Sequence, residues 1–198
     1  MRRSATIILL SAWLCAPALS GQTSPALHAQ PLGVSVDYIV VFGDQYLGGD
    51  ELYDTKITVL QVVRGEKAWE MVKGASGSNQ PPNSGFEYLL ARVRFEFSAR
   101  TSPSHYRYII DESQFTAVGA DGKEYEAASL VEAPKPRLNG TLVPGSALEG
   151  WVAFQVPRSI DKPLMHFQEN VGSVIHRGGG AWFRLYESPG ARRQGKAS

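Results

Sequence analysis

The chain has 198 residues, is 43% hydrophobic, and carries 20 basic against 19 acidic residues for a net charge of +1. That length suffices for one domain with its own core, and the even charge balance excludes a nucleic-acid binder held by bulk charge. The 20 glycines and 12 prolines fall between short apolar runs, the pattern of an all-β domain and not of a helical bundle.

Arg2 and Arg3, followed by the apolar run Ala5 to Ala16, read as a secretory signal. The run is too short to span a bilayer as a helix. Ala18 and Ser20 predict cleavage before Gly21, with a cut after Ala29 as the alternative. Ser4, Ala5 and Thr6 after the arginine pair favour the general secretory route over twin-arginine export. Cys15, the single cysteine, follows Leu14 instead of the small residue that lipidation requires, so no lipid anchor is expected. Once the signal is removed the chain has no disulfide, thiol chemistry or cysteine metal site, and loss of the two arginines takes the charge from +1 to −1. The expected location is exported, periplasmic or extracellular.

Residues 21–32 read as a flexible leader. From Val34 to Phe42, Val36, Tyr38, Val40 and Phe42 alternate as one face of a strand. Gly43 to Asp54 is expected to be an acidic loop whose Asp44, Asp50, Glu51 and Asp54 lack the spacing of a calcium loop. Lys56 to Arg64 is apolar on both sides, the mark of a covered strand. Residues 66–73 predict a short helix with Ala68, Trp69 and Val72 on one side, capping one end of the core. Gly74 to Gly85 is small and polar and is expected to be a mobile loop that buries nothing.

Phe86 to Ser98 is the clearest strand: Leu89, Ala91, Val93, Phe95 and Phe97 face one way and Arg92, Arg94 and Glu96 the other. Tyr106 to Ile110 and Gln114 to Val118 follow, then a hairpin turn at Asp121-Gly122 with Lys123 to Ala127 returning from it. Val131 to Leu138, with Pro134 and Pro136, is a connector or edge piece. Leu138 to Pro157 holds turns at Asn139-Gly140 and Pro144-Gly145 before a strand with Val152, Phe154 and Val156 on one face. These three are expected to share the core with Val93, Phe95 and Phe97. Leu164 to Gln168 and Ala181 to Glu187 supply the last strands across a Gly178-Gly179-Gly180 turn, and residues 188–198 read as a disordered basic tail. About eight or nine short strands, one short helix and regular turn signals spell a β-sandwich of two antiparallel sheets over residues 33–187.

Pro31-Leu32-Gly33, Val62-Val63-Arg64-Gly65 leading to Ala68, Glu87-Tyr88-Leu89-Leu90, Gly122, Leu142-Val143-Pro144-Gly145 and Gly150 to Pro157 together resemble a family of exported bacterial domains of unknown function, telokin-like in fold. The resemblance covers residues 31–187 and implies an immunoglobulin-like sandwich and an exported habitat. Many relatives are tethered to an envelope; Leu14 before Cys15 argues against that here. The family brings no catalytic residues, and a fold does not by itself assign a task.

The residues offer no catalytic arrangement. His28, His105, His166 and His176 do not pair at metal spacing, no serine sits in a G-x-S-x-G elbow, and Gly178 to Gly180 lacks the Lys-Ser/Thr of a phosphate loop. Asn139-Gly140-Thr141 matches a glycosylation sequon but reads as a turn. No cofactor or metal is expected, and the chain is read as a non-enzyme. The candidate contact surface consists of outward residues: Arg92 and Arg94, Trp151, and the trio Trp182, Arg184 and Tyr186. Arg with Trp and Tyr is the composition of interaction surfaces, and equally of cross-strand pairs on a solvated sheet. The expected partner is a protein or an envelope component; the alternative is a small-ligand carrier with a pocket beside the Trp69 helix.

Overall fold

The computed structural model describes residues 28–44, 49–100, 106–169 and 180–187. The signal, its Ser20 cleavage site, His105 and His176, Gly178 and Gly179, and the basic tail lie outside these residues. The expected all-β sandwich of two antiparallel sheets, with a short helix after the second strand, is what the described residues form.

The first sheet has the order β1-β2-β3-β8, from β1 (Ser35–Asp44), β2 (Gly49–Arg64), β3 (Phe86–Ala99) and β8 (Ser146–Pro157). The second has the order β10-β9-β5-β6, from β5 (Phe115–Val118), β6 (Glu124–Glu126), β9 (Leu164–Phe167) and β10 (Ala181–Arg184). Between them in sequence, β4 (Tyr108–Ile110) and β7 (Gly140–Leu142) pair as a two-stranded ribbon. Among the described residues the strands number ten; the one not expected is β7, three residues long, which begins at the Gly140 read as part of a turn. Val93, Phe95 and Phe97 of β3 and Val152, Phe154 and Val156 of β8 are fully buried in one core with Phe115, Met165, Phe167 and Phe183 of the second sheet. The predicted register of both long strands therefore holds.

Four expectations change. Residues 43–54 are mostly strand: β1 runs to Asp44 and pairs back on β2 from Gly49. Tyr53 decides this, for it is buried against Phe97 with ring centroids 4.8 Å apart. Its hydroxyl donates to Glu51 Oε2 at 2.5 Å and accepts from the Tyr106 amide at 3.1 Å. An acidic composition concealed a buried aromatic on a strand.

The helix α1 (Glu66–Ala75) caps no end of the core. It lies on the outer face of the first sheet, where Ala68 and Val72 pack on Tyr88, Leu90, Trp151 and Ala153. β3 is apolar on both sides at Tyr88-Leu89-Leu90-Ala91, and a helix over that patch removes the outward half from water. Glu66 in its first turn and Lys73 in its last complement the helix dipole.

The loop after the helix buries Asn79. Its amide donates to Val72 O at 2.7 Å and Glu132 O at 2.8 Å, and its carbonyl accepts from the Val131 amide at 2.8 Å. A polar side chain bonded this fully joins the helix C-terminus to the connector after β6.

Lastly, contacts begin within the segment read as leader. Ala29 is buried, Gln30 N donates to Trp182 O at 2.9 Å and Arg184 N donates to Gln30 O at 2.8 Å, so the chain lies along the outer edge of β10.

The resembling motifs turn out to be fastenings. Gly33 N donates to Val59 O at 2.8 Å, and Gly65, at φ 71°, donates to Tyr88 O at 3.0 Å. Arg64 bonds Glu87 and also donates through Nη2 to Ile160 O at 2.8 Å, tying β2, β3 and the turn after β8 together.

Candidate functional site

The six candidate surface residues are not brought together. Trp151 is corrected: it is 6% exposed, lying beneath α1 and the connector. Its alternation against Val152 and Phe154 does point it away from the sandwich core, but the helix covers that outer face. Arg92 and Arg94 share this face and engage carboxylates there, Arg92 with Glu149 at 2.5 Å and Arg94 with Glu96 at 3.2 Å. Trp182 and Arg184 lie on the outer side of the second sheet, beyond the core from the arginines of β3, whereas Tyr186 follows the end of β10 in a bend.

On that second face a row of outward side chains crosses all four strands. Trp182 pairs with His166, His166 with Thr116, and Thr116 with Glu126. The Trp182 and His166 rings stack with centroids 4.1 Å apart and planes 14° from parallel. Gly180 makes room for this: a Cβ there would come within 2.8 Å of His166 Cδ2 and 2.6 Å of Phe167 O, and the backbone is at φ 73°. Neither the stack nor its link to Thr116 is visible from β10 alone, since strand order sets cross-strand neighbours.

The row leads into a cleft. β5 and β6 pair from Thr116–Glu126 to Val118–Glu124 and then part. The chain before β5 coils through a 3-10 turn (Glu112–Gln114) capped by Asp111, whose carboxylate accepts from the Ser113 amide at 2.8 Å. The chain after β6 crosses to the first sheet, where Ala127 bridges Phe154 and the Ala128 amide donates to Ala153 O at 2.7 Å. The opening is a cleft of about 440 Å³ lined by Glu112, Ser113, Thr116, Ser129, Leu130 and Arg137, with small alanines between them. Arg137 reaches it from the connector and places both Nε, at 2.8 Å, and Nη2 on Glu112 Oε1. That carboxylate, with Asp111 nearby, raises the Arg137 pKa further. Glu112 Oε2 is shielded from solvent and has no hydrogen-bond partner.

Beside α1 there is a shallower hollow of about 380 Å³ lined by Met71, Gly74, Ala75, Glu132, Pro134 and Lys135. Trp69 does not line it; its ring stacks on Tyr88 at 5.9 Å. A hollow therefore does lie beside the Trp69 helix, on the Met71, Gly74 and Ala75 side, and Trp69 is not part of its lining.

At the core's edge, the Tyr38 hydroxyl bonds Glu169, and Gln114 Nε2 donates to the Tyr108 hydroxyl at 2.8 Å. Burial, then the Glu169 carboxylate, push the Tyr38 hydroxyl up to about 12, and the same causes push Tyr108 upward. Among the described residues no three His, Cys, Asp or Glu side chains come together as a metal site, and no helix is long and apolar enough to cross a membrane.

No curated protein matches the chain. Among solved structures it is similar to a lipoprotein candidate of Bacillus subtilis (ycdA), with 11% identity and a TM-score of 0.48 over 66% of this chain and 35% of that one. It spans only about a third of that protein's length. It is also similar to the secreted protein MPT63 of Mycobacterium tuberculosis, with 14% identity and a TM-score of 0.42 over 74% of this chain and 92% of that one. An uncharacterised β-sandwich protein of Clostridium difficile shares 10% identity at a TM-score of 0.40, over 80% of this chain and 95% of that one. At these scores none lends its properties to this chain. The family model described as "Domain of unknown function (DUF4352)" matches residues 51–174, from early β2 past β9. The chain therefore belongs to the family of that description.

Proposed function

We propose that this chain is an exported, non-enzymatic binding module of immunoglobulin-like, telokin-like type, which engages a protein or envelope component through the outer face of its second sheet. The observation that carries this reading is the Trp182–His166 stack on that face, with Arg184 two residues along the same strand. A tryptophan on a sheet face, half-covered and held by a neighbouring ring, supplies contact area at little entropic cost. Export rests on Arg2, Arg3 and the apolar run after them. On this reading the domain spans residues 33–187, preceded by a signal at 1–20 and a leader at 21–32 and followed by the tail at 188–198. Arg92 is read as a cross-strand ion pair with Glu149 and Arg94 as a pair with Glu96 along its own strand, both on the other sheet, largely solvated and of small energetic weight.

The test is affinity capture from envelope and culture fractions with the protein and its Trp182→Ala variant, after circular dichroism shows that both fold. The expected result is a component retained by the first and lost by the second. Equal retention by both, or by neither, contradicts the assignment of this face.

A further inference from the structure

We infer that the cleft between the parted β5 and β6 strands, together with the aromatic end of the same row, is a binding strip for a saccharide chain. This inference rests on the outer face of the second sheet being the contact surface, and it names the ligand class.

Three features converge on it. First, Glu112 and Arg137 form a pair in which one carboxylate oxygen takes both guanidinium bonds and the other has no donor. Arg137 is half exposed, its side chain 54% accessible, whereas that of Glu112 is 19% accessible. The guanidinium is thus the more accessible member of the pair, with the carboxylate behind it. A carboxylate beside a guanidinium presents an acceptor next to donors, the complement of two adjacent hydroxyls that each donate and accept. Second, Ser113, Thr116 and Ser129 add hydroxyls around the opening while the wall between them is alanine. Such a surface offers several polar contacts beside the Glu112–Arg137 pair, as a polyhydroxyl ligand requires. Third, Glu126, Thr116, His166 and Trp182 continue the same face across four strands, a run of ~14 Å at the usual strand spacing. That length holds several consecutive sugar rings, with the Trp182–His166 stack under the apolar face of the last.

A polypeptide partner fits less well. Its apolar side chains would meet only alanines and Leu130 in the cleft, and interface anchors need deeper apolar pockets. The lining holds Glu112 and Glu126 against Arg137, so neutral glycans are favoured over acidic ones.

The experiment is isothermal titration of the protein with chitotetraose, cellotetraose and tetragalacturonate. Saturable binding of at least one neutral oligosaccharide is expected, weakened about tenfold by Glu112→Gln and by Trp182→Ala, the loss of a hydrogen bond and of a ring contact respectively. Trp182→Tyr should regain most of the affinity, which separates stacking from misfolding. No binding in any arm, or affinity that survives either substitution, overturns the inference. Protein capture that needs Trp182, with no oligosaccharide bound, discards the saccharide and leaves the contact face standing. Loss of both discards the two together.

Discussion

Replacing Gly150 by alanine should damage this fold more than any other single-methyl addition to its described glycines outside loops. Gly150 sits on β8 opposite Val93, where the connector passes directly over it. A Cβ at 150 would come within 2.6 Å of Leu138 Cα and closer still to the Leu138 amide. The obstacle is backbone, so no rotamer change relieves it, and the connector must lift by roughly an ångström to restore ordinary contact. Two bonds hold the connector down: Trp151 N to Pro136 O at 2.8 Å, and Leu138 N to Trp151 O at 3.4 Å. Losing most of both costs about 1 kcal/mol each, and overpacking adds about 1–3 kcal/mol. Their sum, about 3–5 kcal/mol, corresponds to a fall in Tm on the order of 10 °C for a domain of this size. Gly74→Ala is the control. It lies in α1 with nothing within 4 Å of its Cβ position, so it should raise stability by about 0.5–1 kcal/mol. Thermal unfolding followed by circular dichroism reads both. A Gly150→Ala protein melting with the parent would refute the close crossing of connector and strand.

Trp151→Ala should destabilise by about 3–5 kcal/mol, the cost of emptying a large buried site; a change under about 1 kcal/mol in urea unfolding would return Trp151 to the surface. Asn79→Ala strands the Val131 amide and the Glu132 carbonyl and leaves Val72 O with the long Ser76 bond alone, and should cost about 2–3 kcal/mol. Amide exchange would show the loss as faster opening at the C-terminal end of α1, and unchanged protection there would contradict the role assigned to Asn79. The folded protein keeps the Tyr38 proton up to about pH 12, whereas an unfolded tyrosine releases it near pH 10. The stability this contributes is complete below pH 10 and lost as pH rises toward 12. Tyr38→Phe should therefore flatten the alkaline fall in stability measured by urea titration between pH 9 and 12, and an unchanged slope would show that Tyr38 ionises freely.

Much of the sandwich was legible because its long strands have one buried face. Alternation from Ala91 to Phe97 in β3 and from Phe154 to Pro157 in β8 leaves one register that hides Phe95 and Phe154. Legibility failed where burial came from outside the strand. Trp151 alternates outward and is nonetheless covered, because a helix remote in sequence lies over it; Tyr53 is core although its neighbours are acidic; Asn79 is buried in a run of small polar residues because two carbonyls and an amide converge on it. The candidate site was legible only in part. Trp182, Arg184 and Tyr186 could be placed on one side of their strand, but His166 and Thr116 became their neighbours through the order β10-β9-β5-β6. Glu112 and Arg137 gave no signal at all, being 25 residues apart and joined by two loops that meet only when β6 leaves one sheet for the other.

The sequence by itself determined what depends on local period and backbone shape: the strand faces, the helix after Gly65, the hairpin at Gly122 and the all-β class. Tertiary structure alone decided which outward residues meet water and which meet each other. Periodicity specifies a direction away from the backbone, and only the packing of distant segments specifies what lies in that direction.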